Sequence, residues 1–174
     1  RKGSTPIFFT TKGFADVLDM QKEMRYDIYD LHAKEVTHLV PKLLRYEIDE
    51  RIDGDGNIIK HIDIKTLEKQ LQLLKNNHEL SSNHSVAICL LHSYINPTHE
   101  NIVRDIIKYY FPMVNISLSH EISPLIREYE RMSTTICNSY IQPLANEYIN
   151  NIENHLKINK YKSPLRLMLS SGGI

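Results

Sequence analysis

The stretch "REYERMSTT", residues 127–135, holds two arginines, two glutamates and three serine or threonine hydroxyls (Ser133, Thr134 and Thr135) in nine positions. At helical spacing Arg127, Glu130, Arg131, Thr134 and Asn138 share one stripe, and Tyr129, Ile136, Tyr140 and Leu144 share the opposite one. A solvated face usually mixes lysine with glutamate, yet this helix carries no lysine before Lys157. Arginine presents a planar fork that fits a carboxylate or phosphate, which lysine cannot copy. Threonine and asparagine cost a helix up to about 0.7 kcal/mol each, so something other than helix stability can have placed them. The chemistry this stripe suits is the holding of an anion. The plainer alternative is a surface face on which Arg127 and Arg131 pair with Glu128 and Glu130.

Histidines and acids stand at two further places where strands should end. In "LLHSYINPTHE", residues 90–100, His92 closes an apolar strand, and His99 and Glu100 fall in the first turn of the next helix. Ligands of α/β sheets bind beyond the carboxyl ends of strands, so His92 is a candidate for catalysis or ligand contact. His99, Glu100 and His120 (from "SHEIS") are candidate metal ligands, although their spacing fits no tight zinc pattern. The alternative keeps His92 and Tyr94 in a local hydrogen bond and leaves His99 exposed. In the final "SSGG", Ser171, Gly172 and Gly173 could offer backbone N–H groups to a phosphate, or simply make a tight turn. "DGDGN" at 53–57 superficially suggests a calcium loop, but Ile58 and Ile64 occupy the positions where glycine and glutamate are required. A hairpin turn explains its glycines.

The elements that must carry these groups alternate between strand and helix. "TPIFFTT" reads as a buried strand, followed by a short helix through Phe14, Val17 and Leu18. "RYDIYDLHAKEVTHLVP" has no clean period and reads as an irregular connection. "KLLRYEIDERI" reads as a strand with "NIIKHI" as its hairpin partner, and Asp63 caps a helix with core residues Leu67, Leu71 and Leu74. "SVAICLLHSY", apolar on both faces, belongs at the centre of a parallel or mixed sheet. Asn96-Pro97 opens a helix carrying Ile102, Val103, Ile106 and Ile107. "VNISLSHEI" is a strand, Ser123-Pro124 opens a long helix bent at Pro143 and ending near Lys157, and "PLRLMLSS" is a last strand. The class is α/β: a layered mixed sheet with flanking helices and a β-hairpin insertion.

Composition narrows the function. The 174 residues carry 21 basic and 21 acidic side chains, which gives no electrostatic footprint for nucleic acid or an anionic membrane. No apolar run approaches the length of a membrane span. Two cysteines, Cys89 and Cys137, form no disulfide framework, and a reducing cytoplasm is the expected setting. A terminal strand feeding a glycine pair normally leads into another element, so a piece of a longer protein is expected.

Several segments in order resemble the ATP-dependent hydantoinase/5-oxoprolinase family, in particular its hydantoin-utilisation A-type subunit and the related subunits of acetone and acetophenone carboxylases. They are "RKG…TTKGFADVL", "YDIYDL", "LVPKLLRYEIDERIDGDG", "VAICLLHSYINPTHE", "SLSHEISPLIREYERMSTTICNSYIQPL" and "LMLSSGGI". The resemblance implies an actin/hexokinase-like ATPase architecture. Residues 1–122 would be the later part of the N-terminal domain, and 123–174 the start of the hydantoinase A domain. It also implies ATP and Mg²⁺ as cofactors, a small cyclic amide as substrate and a second large subunit as partner. The family's acidic, glycine-rich phosphate motif would lie upstream of Arg1. ATP-driven ring opening needs cationic donors near the transferring phosphate, and Arg127, Glu130, Arg131 and Thr134 supply suitable groups. The rival expectations are a subunit of an ATP-dependent ketone carboxylase and a structural or subunit-contact module without activity of its own.

Overall fold

The computed structural model describes residues 3–22, 29, 32, 37–76 and 84–168. Among the described residues six strands appear in chain order: β1 (Thr5–Thr11), β2 (Arg45–Ile48), β3 (Arg51–Ile52), β4 (Ile58–Lys60), β5 (His84–Cys89) and β6 (Asn115–Leu118). The helices are α1 (Val17–Met20), α2 (Ile64–Asn76), α3 (Thr98–Tyr110), α4 (Ser119–Ile122) and α5 (Glu128–Ile158). Four strands form one sheet in the order β2-β1-β5-β6 with every pairing parallel, while β3 and β4 form a separate antiparallel hairpin. Among the described residues, antiparallel pairing, expected within a mixed sheet, is thus confined to the hairpin insertion.

Strand alternation divides the core into two layers. Ile7, Phe9, Val86 and Ile88 point to one face and pack with Leu67, Leu71 and Leu74 of α2 and Val103 and Ile107 of α3. Phe8, Ala87 and Cys89 point to the other face, against Leu18 of α1 and Met132 and Ile136 of α5. Burying a side chain of this size contributes about 1.5–3 kcal/mol, so the two phenylalanines anchor one layer each. α2 starts where Asp63 accepts both the Thr66 amide (3.2 Å) and its hydroxyl (2.6 Å). α3 starts behind Asn96, whose side-chain oxygen accepts the Thr98 amide at 3.1 Å.

Small residues on the second face let α5 lie close. Ser85, Ala87, Cys89 and Ser117 leave room there, and a Cβ on Gly3 would stand 2.5 Å from the Tyr140 ring and carbonyl. The helix runs through Pro143, which has no N–H to give the Ser139 carbonyl. No described helix is long and apolar enough to cross a membrane.

Three local readings need correction. The expected strand "KLLRYEIDERI" is a 3-10 turn (Lys42–Leu44) followed by two short strands, because the Glu50 amide turns back to the Ile48 carbonyl at 3.0 Å and the chain changes partners there. The long helix begins at Glu128 rather than at Ser123-Pro124. Residues Ser119–Ile122 form a turn of their own, and Arg127, at φ 83°, sits as the N-cap. The last strand, "PLRLMLSS", lies partly outside the described residues, and its described part, 164–168, has no regular structure. Most of "RYDIYDLHAKEVTHLVP" lies outside the described residues.

Candidate functional site

Parallel pairing brings the carboxyl ends of β1, β5 and β6 to one edge, and the buried polar side chains collect there. Thr11 ends β1, Leu90 and Leu91 follow β5, and Ser119 follows β6. Helix α3 reaches this edge with its first turn, in which His99 and Glu100 are both fully buried. The two neighbours serve different partners.

His99 Nδ1 stands 2.6 Å from Glu50 Oε2, and the Thr11 hydroxyl donates to Glu50 Oε1. The Leu91 amide in turn donates to Thr11 Oγ1 at 3.0 Å. With the Thr11 hydroxyl donating to one Glu50 oxygen, the ring N–H of His99 Nδ1 donates to the other. The ring's Nε2 is buried with no partner.

Glu100 accepts from four donors: the Leu90 amide (2.9 Å), the Ser119 hydroxyl (2.5 Å), the His120 amide (3.1 Å) and His120 Nδ1 (2.6 Å). It locks the ends of β5 and β6 to α3. With its oxygens so fully engaged, Glu100 is a structural knot.

Arg131 enters the same cluster from α5 and is only 1% exposed. Its Nη1 donates to Ser93 and, at 3.0 Å, to Ser119. Ser119 gives its proton to Glu100, so Ser93, 2.9 Å away, must donate to Ser119. Two serines therefore connect the guanidinium to Glu100 without a direct ion pair. The Arg131 Cζ lies 5.4 Å from the centroid of the Tyr94 ring, and Nε and Nη2 are buried without partners.

The stripe read from "REYERMSTT" is split by this geometry. Arg131 turns inward and Asn138 bonds Ser117 at 2.9 Å. Arg127 has a 74% exposed side chain, Glu130 pairs with Lys22 at 2.9 Å, and Thr134 donates to its own helix at the Glu130 carbonyl. The inward face of α5 is instead Arg131, Met132, Thr135, Ile136 and Ser139. The physical reason is that Met132 and Ile136 pack against the sheet and centre the buried face of α5, which leaves Glu130 and Thr134 outside it, while Arg127 lies before the helix.

His92 sits at the strand end as expected, at φ 54°, with Nδ1 3.4 Å from the Tyr94 hydroxyl. The fold pairs His120 with Glu100 and directs His99 to Glu50 instead, each histidine bonding a carboxylate. Among the described residues no three His, Cys, Asp or Glu side chains cluster so as to hold a metal ion. Ser171, Gly172 and Gly173 lie outside the described residues. Cys89, in the same region, has its thiol pushed up to about 12 by burial, which leaves it unreactive.

Thr11, Glu50, Ser93 and Ser119 belong to the cluster and were not singled out by sequence. Glu50 looked like one more charge in "EIDERI". The available signal was its place after a strand whose alternation sends that position inward. The hairpin closes over the same region: Asn96 donates to the Gly56 carbonyl at 2.8 Å, and a Cβ on Gly56 would meet Ile95 at 2.9 Å.

Comparison with known proteins places these features in context. Residues 1–111 match the profile of the hydantoinase/oxoprolinase N-terminal region, and residues 131–174 match that of hydantoinase/oxoprolinase. An uncharacterized protein of Methanocaldococcus jannaschii is 40% identical over 166 residues, covering 95% of this chain and 24% of its own length. The caprolactamase of Pseudomonas jessenii matches through its subunit alpha at 30% identity, over 94% of this chain and 23% of that subunit. The crystal structure of that ATP-dependent caprolactamase superposes with a TM-score of 0.82 at 29% identity, over 94% of this chain and 23% of that one. A nucleotide-free acetone carboxylase structure, from work on ATP-dependent acetone carboxylation, gives 0.78 at 25% identity, over 95% of this chain and 24% of that one. The chain spans about a quarter of each of these proteins.

Proposed function

Since the chain belongs to the hydantoinase/oxoprolinase family, we propose that it is part of an ATP-dependent cyclic amidohydrolase opening hydantoin or 5-oxoproline-type rings. The observation that carries this reading is the burial of Arg131 at the carboxyl edge of a parallel sheet, with two guanidinium nitrogens unmatched. A buried cation with free donors is costly to keep unless an anion meets it, and the reaction supplies anions.

ATP, when bound, would supply the phosphoryl group that activates an otherwise inert amide oxygen toward water. The chain's own residues have separate tasks. Arg131 holds a negatively charged group of the reacting species, Ser93 and Ser119 fix the guanidinium, and Glu100 fixes the serines. His92 lies on the adjacent turn as a candidate for substrate contact. Contacts to the nucleotide's phosphates are assigned to Ser171, Gly172 and Gly173 and to the longer protein. The described residues do not fit Mg²⁺: they hold no cluster of three His, Cys, Asp or Glu, and the oxygens of Glu50 and Glu100 already accept hydrogen bonds.

We place the domain division at 122/123 and the full-length protein in the cytoplasm, working with a second hydantoinase-type subunit. The match to a subunit alpha supports that partner. A second reading, a ketone carboxylase subunit, is supported by the likeness to acetone carboxylase. Assays of the full-length protein with its partner separate the two. Lactam-stimulated ATP hydrolysis with ring opening supports the first, and ATP hydrolysis dependent on ketone plus bicarbonate supports the second. The 174 residues alone should be inactive, acting as a contact module.

A further inference from the structure

We propose that the free edge of Arg131 is a binding site for a planar, singly charged oxyanion, a carboxylate or bicarbonate, rather than for phosphate. The inference deepens the reading above and rests on it for the identity of the enzyme only. The two nitrogens left unmatched, Nε and Nη2, are the pair whose hydrogens leave the guanidinium on one edge in parallel, the arrangement that grips two oxygens at once. Nη1, which points elsewhere, is the nitrogen held by Ser93 and Ser119. The serines thus orient the fork and leave its gripping edge buried without a partner.

No carboxylate of the described residues fills that edge. Glu50 is held by Thr11 and His99, Glu100 accepts from four donors, and Glu128, one turn earlier on α5, makes no ion pair with Arg131.

A second unmatched group lies on the same face. The hydroxyl of Thr10 is buried and has no partner, and Thr10 pairs in register with Cys89, whose thiol feels the charge of Arg131. Strand alternation puts Thr10 with Phe8 on the layer that α5 covers. A guanidinium edge and one hydroxyl suit an anion with two acceptor oxygens.

Shape and charge favour a flat monoanion over phosphate. The Tyr94 ring lies over the guanidinium, so a ligand must approach in its plane, where a flat anion fits. A tetrahedral phosphate would push oxygens out of that plane toward the ring. A dianion would also bring more negative charge beside the buried Glu100 carboxylate than a monoanion does.

The test uses the full-length protein with its partner subunit, titrated with ¹³C-labelled acetate, ¹³C-bicarbonate and inorganic phosphate and read by NMR line broadening and calorimetry. The expected result is saturable binding of acetate or bicarbonate, and phosphate weaker than both. Acetate binding assigns the site to a carboxylated ring substrate, and bicarbonate binding alone assigns it to carboxylation. Arg131→Lys keeps the charge and loses the fork, so affinity should fall roughly 30-fold, while Thr10→Val should weaken it about fivefold. Equal affinity in wild type and the folded Arg131→Lys variant overturns the proposal, as does absence of binding to wild type or a preference for phosphate. Lactam-stimulated ATP hydrolysis, measured on the same preparation, reports on the broader reading separately.

Discussion

The hydroxyl of Ser4 donates to the main-chain carbonyl of Ser139 at 2.9 Å, and that carbonyl is the one Pro143 leaves unpaired inside α5. The remaining hydroxyls close the circuit: Ser139 donates to Ser85 and Ser85 to Ser4, each at 2.8 Å. A proline that would break an isolated helix is thereby accommodated by the strand beneath it. This contact also fixes α5, and with it Arg131, against the sheet.

Replacing Ser4 with alanine leaves a buried carbonyl unmatched and should destabilise the full-length protein by about 1–2 kcal/mol. Pro143→Ala restores an N–H to that carbonyl, so the cost of Ser4→Ala should be smaller in that background. Denaturant melts of the four proteins in the cycle read the coupling directly. Equal costs in both backgrounds would show that Ser4 does not serve the proline gap.

Asp19 receives two bonds from Arg45, at 2.9 and 3.0 Å, and the Arg45 side chain is only 2% exposed. The hydrogen bonds from Arg45, helped by the charges of Arg45, Lys42 and His38, hold the Asp19 carboxyl below its ordinary value of 3.8 against the opposing effect of burial. A lowered folded pKa means that the stabilisation is complete above 3.8 and disappears as pH falls through the lower folded value. Asp19→Asn should therefore cost about 2–4 kcal/mol at pH 7, by leaving the buried arginine unpaired. The gap between variant and wild type should close in acid. A gap that stays constant from pH 7 to pH 2 would refute the ion-pair assignment.

His99 should carry its proton on Nδ1, toward Glu50. Long-range ¹H–¹⁵N spectra of the full-length protein at pH 8 report the tautomer. Glu50→Gln, which can turn an amide N–H toward the ring, should change it and destabilise the fold by roughly 2 kcal/mol. An Nε2–H tautomer in the wild type would contradict the hydrogen-bond directions drawn around Glu50.

Much of the architecture was legible because it rests on local periodicity. Leu67, Leu71 and Leu74 mark α2, and "SVAIC" marks the central strand, since both faces of it must be buried. Asp63 and Asn96 announce their helices through side-chain chemistry that works over three residues. The start of α5 was not legible, because it depends on Arg127 adopting a positive φ after an irregular stretch, and nothing in "ISPLIR" dictates that. The same limit applied to the site. Arg131 was recoverable from residue type, but its partners Ser93 and Ser119 lie 38 and 12 residues away and meet it only through the sheet. Glu50 and His99, 49 residues apart, meet in the same way.

The most direct trial of the catalytic reading is lactam-stimulated ATP hydrolysis by the full-length protein and its partner subunit, comparing wild type with Arg131→Ala. Loss of one preorganised charged donor predicts a fall of about 10²–10³-fold, with Arg127→Ala, on the exposed side of the helix, within about twofold of wild type. An Arg131→Ala protein that folds and hydrolyses ATP with lactam at the wild-type rate would contradict it.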